Sequence, residues 1–172
     1  SNGGFESWNG STPAGWNVTG GAASAETAGA TGTALRIESD GVAMVRQTVP
    51  VLGGATYTAG LLVAAASGAE SAEVMLAIGF RDSLGVSAAL RPAISTKPMG
   101  GFEQLSLVAL APSNAVTAEL HITVQGGGPS TVVLDSATFV ESAPPPPPTD
   151  TPTSSPTVVT ATPTTTTPAP TA

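Results

Sequence analysis

An all-β fold, a β-sandwich or jelly roll over residues 1–142, is what the sequence predicts, and three observations predict it. Apolar side chains recur at every second position in segment after segment, most cleanly at Val74, Leu76, Ile78 and Phe80. Clusters of Gly, Pro, Ser, Asn and Asp punctuate the chain roughly every ten residues, the spacing of short strands joined by tight turns. No stretch carries the period of an amphipathic helix. With 10% of residues charged and 41% hydrophobic, the excess lying in Ala, Val and Leu, the composition suits half-buried strands.

Taken in order, Gly3 and Gly4 give backbone freedom ahead of Phe5, a strand anchor, and Glu6 sets an acidic oxygen beside it. Residues 9–15 form a turn-rich surface loop with Trp8 and Trp16 at its ends. Trp16 is expected to plug the core and Trp8 to stay exposed. Residues 20–32, rich in Gly, Ala and Thr, read as irregular. Residues 34–38 alternate as a strand, Ser39-Asp40-Gly41 turns, and 44–51 follow as a strand with Val45, Gln47, Val49 and Val51 on one face. Pro50 confines that strand to a sheet edge or to its own end. Tyr57, Ala59, Leu61 and Val63 line one face of the next strand, and residues 68–72 make a loop.

After the strand ending at Phe80, Arg81-Asp82-Ser83-Leu84-Gly85 reads as a hairpin turn into a strand over 86–90, and residues 92–101 read as a loop. Residues 102–111 and 117–125 are strands. The second puts Ala118, Leu120, Ile122 and Val124 inward and Glu119, His121 and Thr123 outward. In the closing strand, 131–141, Val132 and Leu134 hold one phase while Ala137 and Phe139 hold the other, so a bulge is expected at Asp135. The expected core is Phe5, Tyr57, Leu61, Leu76, Ile78, Phe80, Leu107, Leu120, Ile122 and Phe139.

Residues 143–172 differ in kind: five consecutive Pro, then Thr, Pro, Ser, Val and Ala with no aromatic, Lys or Arg. Such a segment buries too little apolar area to offset its ordering entropy, so it reads as a disordered Pro/Thr-rich linker suited to O-glycosylation, of the kind that joins extracellular modules. A secreted or cell-surface setting is expected, with the chain a monomer and a piece of a longer protein. Five Lys and Arg stand singly against twelve Asp and Glu, for a net charge of −7, which argues against a nucleic-acid partner. The longest apolar run, residues 61–66, is far short of the ~20 residues of a membrane span. Cys is absent, so neither a disulfide nor a thiolate nucleophile is available.

No catalytic arrangement stands out, and no enzyme is expected. His121 is the sole His and reads as an exposed outward position of an ordinary strand. Glu6, Asp40, Asp82, Glu103 and Asp135 supply carboxylates, yet none sits in a glycosidase motif.

Three stretches carry a family resemblance. The opening Asn2-Gly3-Gly4-Phe5-Glu6 with its loop closed by Gly15-Trp16, the Gly-x-x-Tyr-Thr pattern at 54–58, and the closing strand with its single Asp135 resemble carbohydrate-binding modules of the galactose-binding-like β-sandwich group, the family 4, 9 and 22 type. The resemblance implies first and last strands side by side and a structural Ca2+ held by Glu6 and Asp135, with carbonyls from Gly3 or Gly4 and from the Ser39-Asp40 turn. The alternative is that both carboxylates are ordinary strand-end residues paired with Arg or backbone N–H groups. The resemblance also implies a polysaccharide or cell-surface glycan as partner; Trp8 is the candidate stacking residue, and Arg81, Asp82, Gln104 and Gln125 are of the type that bonds hydroxyls, each equally well a solvated strand or turn residue. A structural or adhesive cell-surface sandwich without sugar binding is the rival reading. The two differ in whether a concave face shows a solvent-exposed aromatic.

Overall fold

The computed structural model describes residues 3–66, 72–87 and 93–142, which contain no helix. Two five-stranded antiparallel sheets pack face to face. The first has the order β10 (Glu103–Leu110), β7 (Thr56–Ala65), β12 (Ser130–Glu141), β5 (Ala34–Ser39), β4 (Ala22–Glu26). The second runs β3 (Asn17–Thr19), β6 (Val42–Pro50), β11 (Thr117–Gln125), β8 (Glu73–Arg81), β9 (Ala93–Thr96). A two-stranded ribbon, β1 (Trp8–Asn9) with β2 (Thr12–Pro13), caps the entry of the chain.

The alternation read from the sequence is what fills the space between the sheets. Leu61 and Val63 of β7, Val132 and Leu134 of β12, Leu76, Ile78 and Phe80 of β8 and Leu120 and Ile122 of β11 are all fully buried there. Each such side chain contributes about 1.5–3 kcal/mol relative to exposure. Trp16 is the core plug expected of it, 6% exposed with its ring 5.2 Å from that of Phe5. Pro50 ends β6, where its missing N–H interrupts nothing. The expected bulge is present: β12 spends three residues from Asp135 to Thr138 while β7 spends two from Leu62 to Gly60, and Ser136 takes a φ of 49°.

Two strands lie where the sequence reads as irregular. β4 pairs with β5 from Ala22↔Glu38 to Glu26↔Ala34. Its Ala and Ser side chains are too small to display an alternation, and as an edge strand only Ala23 packs on the core. β9 pairs with β8, including Leu76↔Ile94, at the opposite edge of the other sheet. The expected strand after the hairpin is seen as a single bridge, Arg81↔Ser87. Its residues 88–90, most of the loop expected at 68–72, and the linker lie outside the described residues.

Two members of the expected core are half-buried. Leu107 sits on β10, an edge strand with a neighbour on one side only. Phe139 follows the bulge near the end of β12, where its ring stacks on Tyr57 at 4.9 Å and 3°. His121 departs the other way: it points away from the core, yet it is 8% exposed, because β11 is the central strand and its outward side chains are walled in by those of β6 and β8. Glu119 is buried for the same reason.

Candidate functional site

The outer face of the second sheet concentrates charge on its central strand. Cross-strand register sets Asn17, Arg46, His121 and Ala77 in one row, Thr48, Glu119 and Gly79 in the next, and Pro50, Thr117 and Arg81 in a third. Ala77 and Gly79 bring almost no side chain to the β8 side of Glu119 and His121. Glu119 is its hub. Arg81 donates to Glu119 Oε2 from Nη2 at 2.7 Å and from Nε at 3.2 Å; Arg46 Nη1 lies 3.8 Å from Oε1 and His121 Nε2 3.3 Å from Oε2. Burial works against the Glu119 charge, but the Arg81 hydrogen bond together with the charges on His121, Arg81 and Arg46 holds its carboxyl below the usual carboxylate range.

Beside this hub lies a depression of about 440 Å3, lined by Gly15, Trp16, Asn17, Arg46, Thr48 and Glu119. Its polar groups are complementary in kind. Arg46 only donates hydrogen bonds, ionised Glu119 only accepts them, and Asn17 and Thr48 do both.

The expected ligand residues do not converge. Trp8 lies in the β1–β2 ribbon, half-buried, with its indole Nε1 donating to the Phe5 carbonyl at 2.6 Å. Arg81 borders the outer face just described. Asp82 is engaged in its own turn, where Oδ1 accepts the N–H groups of Leu84 at 3.0 Å and Val86 at 2.9 Å. Gln104 is exposed on β10, opposite Leu62, and so belongs to the other sheet. The discriminating aromatic is absent too. All seven aromatic residues fall among those described, and none is solvent-exposed: Phe5, Trp16, Tyr57 and Phe80 are buried, and Trp8, Phe102 and Phe139 half-buried.

The expected ion ligands do come near one another. Gly3 accepts the Ala137 N–H at 2.8 Å, and a Cβ on Gly3 would stand 1.9 Å from the Ala137 carbonyl oxygen, so the opening segment lies flush against β12 just past its bulge. Glu6 and Asp135 then close on one loop. Glu6 accepts the Thr33 N–H with Oε1 at 3.0 Å and Oε2 at 3.2 Å; Asp135 Oδ2 accepts the Thr31 N–H at 3.0 Å, and Oδ1 accepts that of Ser136. Gly29 and Gly32 let the loop approach: a Cβ on Gly32 would stand 2.5 Å from Glu6 Oε1, and one on Gly29 3.1 Å from Asp135 Oδ2.

The donor set is hard oxygen throughout, the chemistry Ca2+ takes, with lone pairs left on each carboxylate beyond those bound to N–H groups. Among the described residues no group of three or more acidic or His side chains gathers, so carbonyls and water would complete the shell. The Ser39-Asp40 turn is not part of this place. It lies at the far end of β5 from Thr33, roughly 20 Å away at the rise of a strand.

No family model matches the chain, and no curated protein sequence matches it. Solved structures do, and the fold is that of the β-sandwich carbohydrate-binding modules. TmCBM61, solved in complex with β-1,4-galactotriose, is similar with a TM-score of 0.64 at 14% identity, over 82% of this chain and 96% of that one. The C-terminal family 22 carbohydrate-binding module of Clostridium thermocellum Xyn10B gives 0.59 at 14% identity, over 80% and 90%. The enzymatically active domain of bacteriophage CBA120 tailspike protein 4 gives 0.69 at 16% identity over 82% of this chain, which spans 21% of that domain's chain.

Proposed function

We propose that the domain is a non-catalytic carbohydrate-binding module of an extracellular protein, tethered through residues 143–172, and that it holds sugar on the outer face of the second sheet. The observation that carries this reading is the Arg46–Glu119–Arg81–His121 cluster on the floor of that face, beside a depression of about 440 Å3. Ring hydroxyls both donate and accept, and charge-assisted partners form the stronger bonds to them. That depression has one carboxylate in its lining. Glycoside hydrolysis by the usual routes works with two, so the reading is binding without turnover. With no exposed aromatic on that face to stack on a sugar, affinity there rests on hydrogen bonds and is weak, on the order of 1 mM.

Ca2+ belongs to the same proposal as a structural ion. Glu6 and Asp135 would hold it, with carbonyls of the Gly3-Gly4 segment and of the 29–33 loop, and it would supply the positive charge that pins that loop to both carboxylates. A structural or adhesive role without sugar binding is the second reading, and the lack of an exposed aromatic is what favours it.

A glycan array with Ca2+ present, followed by calorimetry with β-1,4-galactotriose as the first titrant, tests the proposal. Binding that is lost in both Arg46→Ala and Glu119→Gln is expected. A blank array transfers the case to the structural reading, and binding that survives both variants removes the site from this face.

A further inference from the structure

The outer face of the first sheet is built differently from that of the second. Register aligns Ser24, Arg36, Val133 and Ala64 in one row across β4, β5, β12 and β7, and the neighbouring row brings Glu38 opposite Thr131. Ala34, Ala64 and Val133 form a small buried cluster of their own on this side, away from the main core, with Ala66 and the ring of Phe102 packed half-buried against it. Small side chains thus run along the middle of the face and longer ones rise on both flanks. The result is a furrow of about 390 Å3, within the range of small-molecule sites.

Its two walls differ in chemistry. On one side stands Phe102, the aromatic ring that lies neither in the main core nor against it. On the other stands Arg36, whose Nε donates to Glu38 Oε1 at 2.9 Å and whose Nη1 lies 3.6 Å from Glu26 Oε2. These groups are about a quarter to a half exposed, so each retains donors or lone pairs for a ligand. An apolar floor, one aromatic wall and one wall of hydrogen-bonding charge suit a ligand with an apolar face and a hydroxylated edge. A long aliphatic chain would leave the charged wall unused, and an ionic ligand would leave the floor unused.

The geometry points to a saccharide-binding site in this furrow, taking a single pyranose unit with its C–H face against Phe102, Ala64 and Ala66 and its hydroxyls toward Arg36 and Glu26. It takes its ligand class from the function proposed above but not its location, since it lies on the opposite sheet from Glu119.

The test is an NMR titration of the full chain with galactose, glucose, xylose and β-1,4-galactotriose, repeated on Phe102→Ala and Arg36→Ala. Expected are saturable amide shifts at Ala64, Ala66, Gly101 and Val133, weakened about tenfold or more by either variant. Arg36→Ala changes an outward side chain and leaves the apolar cluster intact, so it answers the question if Phe102→Ala fails to fold. Shifts confined to the residues around Glu119 overturn the furrow and leave the site on the second sheet standing; shifts confined to the furrow do the reverse. Shifts at the furrow that track protein concentration without sugar assign it to a second copy of the chain, and no shift with any of the sugars removes it.

Discussion

Replacing Glu119 by Gln isolates the hub of the charged face, since Gln keeps the shape of the side chain and removes its charge. Glu119 side-chain exposure is 12%, so its carboxylate sits largely out of water, while Arg46 and Arg81 are exposed to 34% and 38%. Losing one partner of a fully buried ion pair costs about 3–5 kcal/mol, because the other charge stays desolvated. Here both arginines can turn toward solvent and recover much of that, so about 2 kcal/mol is the expected loss at pH 7. For a domain of this size it corresponds to a fall in Tm of about 6 °C.

The pH dependence carries the sharper test. The Glu119 carboxyl is held below its ordinary value of 4.5 in the folded state. Its contribution is therefore full above the unfolded pKa and is lost as pH falls through the folded one. Thermal melts of the parent and Glu119→Gln should differ at neutral pH and converge in acid below that window, where the parent carboxyl is itself neutral. In a double-mutant cycle with Arg81→Ala, a coupling of about 1–2 kcal/mol is expected. A Tm difference under about 1 °C at pH 7, or one that persists unchanged into acid, refutes the account of Glu119 as a paired, largely buried anion.

Two other outcomes follow from the packing and from the carboxylate pair. Ca2+ at a hundredfold excess over its Kd should stabilise the chain by about 2.7 kcal/mol; melts with Ca2+ and with a chelator measure it, and an undiminished shift in Asp135→Ala rejects the site. Trp16→Ala should cost about 3–5 kcal/mol in denaturant unfolding, against about 1–2 kcal/mol for Trp8→Ala, whose ring is half-buried and held by one hydrogen bond to Phe5; equal costs would mean the two rings play the same part.

By itself the sequence determined the class of fold and most of its strands, because period-two alternation is a local property and the large apolar side chains that show it are the ones that fill the core. It also located the bulge at Asp135, where the phase slip between Leu134 and Ala137 is written into consecutive residues. What it left to the tertiary structure was the order of strands within the sheets. Glu119 and His121 read as solvated outward positions, and they are buried because β11 is central, flanked by β6 and β8. Arg81 and Gln104 look equivalent as polar strand residues, yet they belong to opposite sheets. Edge strands β4 and β9 escaped notice because a strand paired on one side, built of small or polar residues, has no apolar face to reveal it. Asp135 reaches Thr31 across 104 positions of sequence while Glu6 reaches Thr33 across 27, so the two carboxylates meet at the 29–33 loop only once β12 closes the first sheet against the opening segment.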